Sequence, residues 1–335
     1  MTRTRAARLQ CPRGAVVVES VEVPDPGSGE VLVRMEACGL CHSDLFVASQ
    51  ERLTLAPLTL GHEGIGRVEA LGADVSGWQR GDRAAMTFLA TTCGACDLCR
   101  SGCERFCARQ TNFGFTLHGA LSGYAIAPAA GLVRAPESGA AAALAPMCCA
   151  GWTAYGAVRE AALAPGRSLA IFGYGGLGHL ALAIARSQGL RVAVADTSVP
   201  KLAAALAAGA EVAVPADAAG RTLQKEHGGV DAAIVFTGNP AAIPQAFRAL
   251  KRRGTLVLVG VSLSQYELPL VDTVVKGIQI RGSYLGPRRD LESVFALAVS
   301  GALQAHIEAH AIDALPALLD RMRRGEILGR AVIEF

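Results

Sequence analysis

Residues 168–196 read SLAIFGYGGLGHLALAIARSQGLRVAVAD, and this stretch decides the fold. A short apolar run at 169–172 leads directly into Gly173, Gly175 and Gly178 at G-x-G-x-x-G spacing. An Ala- and Leu-rich segment of helical character follows, then a second apolar run at 191–195 closed by Asp196. The order is strand, glycine turn, helix, strand, acid, and each part has a physical task in holding a dinucleotide. Gly173 lets the chain turn sharply, Gly175 lets the backbone approach a pyrophosphate, and Gly178 removes a side chain where the helix meets the strand. Gly176 and Leu177 complete the turn. The free N–H groups of the helix's first turn face the phosphates, with the positive end of the dipole behind them. Asp196 stands where an acid accepts hydrogen bonds from the adenosine ribose and repels a 2′-phosphate, which points to NAD rather than NADP.

The 335 residues are enough for two domains of ordinary size. Hydrophobic residues make up 51% and charged ones 18%, so a large core is easily filled. A net charge of +3 without a Lys/Arg block gives no electrostatic footprint for nucleic acid. The basic N-terminus MTRTRAARLQCPRG lacks the apolar run of a secretory signal. The uncharged stretch 138–158 is mostly Ala and Gly with Pro146 inside it, too poor in Leu, Ile and Val for a bilayer span. Ten cysteines in such a chain suggest metal ligation in a reduced, cytoplasmic setting rather than a disulfide framework.

Outward from the glycine turn, strand and helix patterns alternate over 151–284, the order of a doubly wound parallel sheet. Residues 1–90 read instead as β-rich, with apolar runs at 15–18, 31–37, 65–71 and 83–88 broken by Pro/Gly turns. Two polar clusters interrupt them, Cys41-His42-Ser43-Asp44 and Gly61-His62-Glu63. Cys93, Cys96, Cys99 and Cys107 follow within a lobe at about 91–109, at a spacing suited to a closed tetrahedral zinc site with four thiolates. Cys103 lies inside this loop but off the spacing. The tail, 285–335, reads as helix, strand, helix, strand returning to the first domain, which otherwise spans 1–150.

Several long motifs occur in one order. They include GLCHSDL at 39–45, LTLGHEGIGRVEALG at 58–72, the four-cysteine loop, CAGWTAYGAV at 149–158, GYGGLGHLA at 173–181 and GPRRDL at 286–291. Together they resemble the zinc-containing medium-chain alcohol dehydrogenases. The resemblance implies an α/β chain in which a GroES-like catalytic domain is split around a Rossmann domain. It also implies that Cys41, His62 and Cys149 are the protein ligands of a catalytic zinc, with Cys148 as the neighbouring alternative thiol. Glu63 is implied as a transient ligand, Asp44 as the carboxylate that orients His62, and Ser43 as the hydroxyl that takes the alcohol proton. Many relatives place a histidine relay where this chain has Phe46. On the cofactor side the resemblance adds His42, Thr153, Lys201 and Arg288, the last at the pyrophosphate. Phe46, Phe88 and Trp152 are implied to border the substrate pocket. Two zinc ions and NAD are the expected cofactors. A dimer or tetramer built on the Rossmann sheet edge is the expected assembly.

The function implied is reversible oxidation of primary, secondary or aromatic alcohols. The competing readings are an NADPH-linked aldehyde reductase of the cinnamyl-alcohol type, against which Asp196 speaks, and a non-catalytic NAD- and zinc-binding protein. Replacing Asp196 by serine is expected to relax the preference for NAD. Side-by-side kcat/KM values with NAD and NADP measure the effect, and an unchanged ratio contradicts the assigned role.

Overall fold

In the strand Ser168–Phe172 every residue after the first is buried, because helices cover both faces of the sheet that contains it. Full burial of one such side chain stabilises by about 1.5–3 kcal/mol, so an apolar run of this kind specifies a central parallel strand. The computed structural model describes residues 1–267 and 269–335. The six strands of this sheet lie in the order Val212–Pro215, Arg191–Asp196, Ser168–Phe172, Val230–Val235, Leu250–Leu258, Gln279–Gly282. All neighbours are parallel. The chain order across the sheet is 3-2-1-4-5-6, with its reversal beside the first strand, which is the doubly wound dinucleotide-binding arrangement. These elements belong to a unit formed by Gly151–Gly286 and Ala302–Gln304.

The other unit comprises Met1–Ala150, Pro287–Gly301 and Ala305–Phe335. Its main sheet runs Val133–Arg134, Arg83–Met86, Gly64–Leu71, Glu30–Gly39, Arg330–Glu334, Ile307–Ala311, with Tyr124–Pro128 also paired to Glu30–Gly39. The C-terminal strand thus pairs antiparallel with Glu30–Gly39 in the middle of this sheet. A smaller sheet includes Thr2–Leu9, which pairs along its whole length with Val16–Val23. The sequence reading passes over that first strand. Arg3, Arg5 and Arg8 mask its pattern, while Ala6, Ala7 and Leu9 are fully buried.

Among the described residues no single helix is long and apolar enough to cross a membrane. The uncharged stretch folds as Ala141–Cys148 and Ala150–Glu160, bent by 46° at the break between them. Its larger side chains, Leu144, Met147 and Trp152, are at most 1% exposed.

The glycine turn separates two physical roles. A Cβ on Gly178 would lie 2.0 Å from the Gly173 carbonyl oxygen, so the start of helix Gly178–Ser187 can pack on the turn only without a side chain. A Cβ on Gly175 meets no atom within 4 Å, so the space it leaves open lies outside the protein's own packing. Gly178→Ala is therefore expected to destabilise the protein by about 1–3 kcal/mol, as overpacking does. Gly175→Ala is expected to leave stability within about 0.5 kcal/mol, because the added methyl meets no protein atom, while weakening cofactor binding. Urea unfolding and NAD titration of the two variants check the contrast.

Candidate functional site

Cys41 ends the loop after strand Glu30–Gly39 and is the N-cap of helix His42–Ala48. Its sulfur accepts the Ser43 N–H at 3.5 Å, and its own N–H donates to Asp44 Oδ2 at 2.9 Å. A helix N-terminus favours a negative group, here a thiolate. Asp44 is buried and makes two further connections. Its Oδ1 accepts the Gly61 N–H at 3.2 Å and lies 3.6 Å from His62 Nδ1. One carboxylate therefore fixes Cys41, Gly61 and the His62 ring together. Gly61 adopts φ +96°, and a Cβ there would approach the Leu121 nitrogen to 2.6 Å, so only glycine brings His62 to this position.

The result is a buried cluster in which ligand atoms of Cys41, His62, Glu63 and Cys149 all lie within 4.8 Å of one another. Cys149 reaches it from the bend between the two short helices. The Cys148 thiol turns away, toward the carbonyls of Gly64 at 3.6 Å and Leu144 at 3.8 Å, and that geometry favours Cys149 between the two adjacent thiols. Glu63 fits only because residue 39 is glycine, since a Cβ there would stand 2.1 Å from Glu63 Oε2. Glu63 Oε1 is ion-paired with Arg330, which is 3% exposed.

Electrostatically the cluster is unbalanced. Hydrogen bonds from Cys149 and His62 outweigh burial and hold the Cys41 thiol well below its usual range. Facing that sulfur, Cys149 is pushed up. Burial opposes protonation of His62, but Asp44 and the Cys41 sulfur prevail and raise it. Burial lifts Glu63 to about 8 against the pull of Arg330. His62 Nε2 and Glu63 Oε2 are buried without any hydrogen-bond partner in the protein. Orphaned polar atoms of this kind normally cost about 1–3 kcal/mol each. Two thiols, an imidazole nitrogen aimed inward and a spare carboxylate oxygen are the donor set of a zinc site that keeps one position open. The residues fit a catalytic zinc.

A second cluster joins Cys93, Cys96, Cys99 and Cys107. Their sulfurs lie 3.5 Å (Cys96 to Cys99), 3.8 Å (Cys93 to Cys99) and 4.0 Å (Cys96 to Cys107) apart. A tetrahedron of thiolates at about 2.3 Å from zinc has edges of about 3.8 Å, so these residues fit a closed structural site. Backbone N–H groups of Ala95 and Cys96 pull Cys93 down to about 5, and burial pushes Cys99 up to about 11. Cys103 is not among the four.

Residues 27–137 match the family described as "Alcohol dehydrogenase GroES-like domain", and residues 176–300 the one described as "Zinc-binding dehydrogenase". An alcohol dehydrogenase of Rhizobium meliloti (strain 1021) is 39% identical over 323 residues, covering 95% of each chain. The chain belongs to the zinc-containing medium-chain alcohol dehydrogenase family. The alcohol dehydrogenase of Aeropyrum pernix is similar in structure, with a TM-score of 0.90 at 30% identity over 99% of this chain and all of that one. So is a cobalt- and zinc-bound alcohol dehydrogenase from Pyrobaculum aerophilum, with a TM-score of 0.90 at 26% identity over the full length of both chains. The fold implied by the resemblance, a GroES-like domain with a Rossmann-type α/β sheet, holds.

In this dehydrogenase Thr153, the glycine turn, Asp196 and Lys201 belong to the sheet unit. Asp196 Oδ2 accepts the Tyr174 N–H at 2.6 Å and Oδ1 the Ser198 N–H at 2.9 Å, which ties the end of its strand back to the turn. His42 is exposed at the first position of its helix. Arg288, which the resemblance places at the pyrophosphate, is held here by the protein's own backbone. Its Nη1 donates to the Ala130 carbonyl at 2.8 Å, and its Nη2 to those of Leu89 at 3.0 Å and Ala90 at 2.8 Å. Those donors are committed to the protein's own backbone. Trp152 is fully buried, at 0% exposure. Phe88 stands edge-on to the His62 ring at 5.1 Å, and Phe46 is 43% exposed.

Sequence reasoning passed over Arg330 and Phe115. Arg330 meets Glu63 across 267 residues of chain, and its sole signal is an arginine at the head of a terminal strand whose next three residues are apolar. Phe115 stacks on Phe88 with centroids 6.4 Å apart.

Cys149→Ser is expected to lose one of two zinc equivalents per chain, and Cys148→Ser to keep both. Zinc analysis of the purified variants decides between the two thiols.

Proposed function

We propose that this family member is a zinc-dependent, NAD-linked alcohol dehydrogenase that interconverts primary, secondary or aromatic alcohols with aldehydes or ketones. The observation that carries this reading is the buried Cys41, His62 and Cys149 set with His62 Nε2 unpartnered. A zinc ion there supplies a Lewis acid that lowers the alcohol's pKa, and NAD supplies the hydride acceptor.

The chain's own residues do the rest. Ser43 Oγ lies 3.6 Å from the Cys41 sulfur, close enough to take the alcohol proton. With Phe46 in place of the relay histidine, exposed His42, the cofactor ribose or ordered water carries that proton onward, or proton release is slower. Asp44 keeps the His62 ring oriented, as carboxylate partners of ligating histidines do. Arg330 holds Glu63 by one oxygen and leaves the other turned toward the cluster. On the cofactor side, Asp196 retains lone pairs for ribose hydroxyls, and the open face of Gly175 leaves room for a pyrophosphate at the N-terminus of helix Gly178–Ser187. Phe88 and Phe115 form a half-buried aromatic pair against His62. Such a wall favours an alcohol with a flat apolar substituent.

The same reading extends to assembly and setting. Strand Gln279–Gly282 is the outer strand of its sheet, and the neighbouring helix Leu270–Lys276 exposes Leu270, Val271, Val274 and Val275 by 61–75%. An open strand edge beside exposed apolar side chains supports a second copy docking there, and hence a dimer or tetramer. Thiols used as metal ligands suit a reducing, cytoplasmic compartment.

Initial rates of NADH formation with metal-replete protein test the proposal. Turnover is expected to favour NAD over NADP, with kcat/KM for benzylic alcohols about tenfold above that for ethanol, on the scale of an aromatic contact. Cys41→Ser is expected to lower it by about 1000-fold or more, the equivalent of about 4 kcal/mol. No turnover despite bound zinc and NAD would favour the binding-protein reading.

A further inference from the structure

The Arg288 side chain has a larger part in this structure than a solvated charge beside a helix. Its guanidinium bridges three carbonyls from two separate segments, Leu89 and Ala90 on one side and Ala130 on the other. Its backbone N–H donates to Glu104 Oε1 at 2.7 Å. Glu104 opens the 3-10 turn Glu104–Phe106 between Cys99 and Cys107, so it belongs to the four-cysteine lobe. Arg289, the next residue, lies over Gly102 of the same lobe, where a Cβ would come 3.5 Å from its Nη1. The segment that precedes helix Asp290–Val299 is thus fastened to the lobe through its backbone and to strand Leu89–Thr91 through its side chain.

Strand Leu89–Thr91 follows directly on Phe88, whose ring meets His62 edge-on at 82°. The Phe88 carbonyl is itself held by the Phe113 N–H at 3.1 Å. Shifting the Leu89 and Ala90 carbonyls therefore shifts the backbone that carries the Phe88 ring. A ring in van der Waals contact with a ligand imidazole constrains the tilt of that imidazole, because close-packed side chains transmit displacement rather than absorb it.

We propose that Arg288 and Glu104 form a latch that positions Phe88 against His62 and so couples the four-cysteine lobe to the geometry of the catalytic metal site. Arg288 is a positioning residue in this account. It acts on His62 through Phe88 and touches neither substrate nor cofactor. The planar fork matters, because its two separated nitrogens reach the two segments at once, whereas an ammonium donates from a single point. The proposal rests on the reading of Cys41, His62 and Cys149 as zinc ligands.

The test uses the full-length protein with cobalt in the catalytic site, whose visible bands report the ligand field at His62, together with NAD titration and alcohol kinetics. The wild-type spectrum comes first. If no thiolate- and imidazole-bound cobalt forms at that site, the zinc reading and the latch fail together. With the wild-type bands present, Arg288→Ala is expected to shift them and to lower kcat/KM for benzyl alcohol by about tenfold, the scale of a small misplacement at a reacting centre. NAD affinity is expected to stay within about twofold. Arg288→Lys is expected to behave like the alanine variant. Glu104→Ala, which leaves the guanidinium in place and frees the backbone, is expected to shift the bands in the same direction but less. Should Arg288→Ala be too unstable to purify, the Arg288→Lys and Glu104→Ala proteins carry the test. Unshifted bands in these variants overturn the latch, as does full rescue by lysine. An NAD affinity weakened tenfold with unshifted bands overturns it in favour of a cofactor contact.

Discussion

Cys41, His62, Glu63 and Cys149 are packed, largely without solvent, into a space a few ångströms across, and the rest of this unit is arranged to make that tolerable. Two thiolates and a carboxylate in one buried space repel one another once ionised, and the protein balances them only in part. Arg330 answers one oxygen of Glu63, and Asp44 answers one nitrogen of His62. The remaining nitrogen and oxygen have no partner in the protein. A divalent cation removes the imbalance at a stroke, which is why burial here argues for a metal more strongly than spacing does. The same logic explains the two glycines beside the cluster, since any side chain at 39 or 61 would displace Glu63 or His62.

The four-cysteine lobe solves a different problem. Helix Asp97–Arg100 has no buried residue, and the segment has little apolar content to hold it together. Sulfur-to-sulfur distances near a tetrahedral edge fit a metal ion, which would take the place of a core. The lobe is nevertheless not isolated, because Glu104 and Arg288 fasten it to the framework from which Phe88 projects.

How much of this could be read in advance follows from how local each feature is. The glycine turn, its flanking strands and Asp196 lie within one βαβ unit, so their spacing specified them, and the order of the parallel sheet followed. Cys93 to Cys107 were legible for the same reason. Cys149 was not, because a fold brings it to Cys41 and His62, and only resemblance linked it to them. Arg330 was invisible at 267 residues from its partner. Strand Thr2–Leu9 was missed because its arginines are set among threonines and small alanines rather than large apolar residues. Arg288 was placed at the cofactor by resemblance alone, while the carbonyls that occupy it come from elsewhere in the chain and leave no local signal. Gly178 was read correctly in physical terms, as a contact too close for any side chain.

Anomalous scattering at the zinc absorption edge from crystals of the purified protein tests the central claim most directly. The account predicts two peaks per chain. One is surrounded by Cys93, Cys96, Cys99 and Cys107. The other is bound by Cys41, Cys149 and the now unpartnered Nε2 of His62, with one position left to a small molecule or to Glu63. A single peak at the four-cysteine lobe, with His62 Nε2 still unbound, would contradict it.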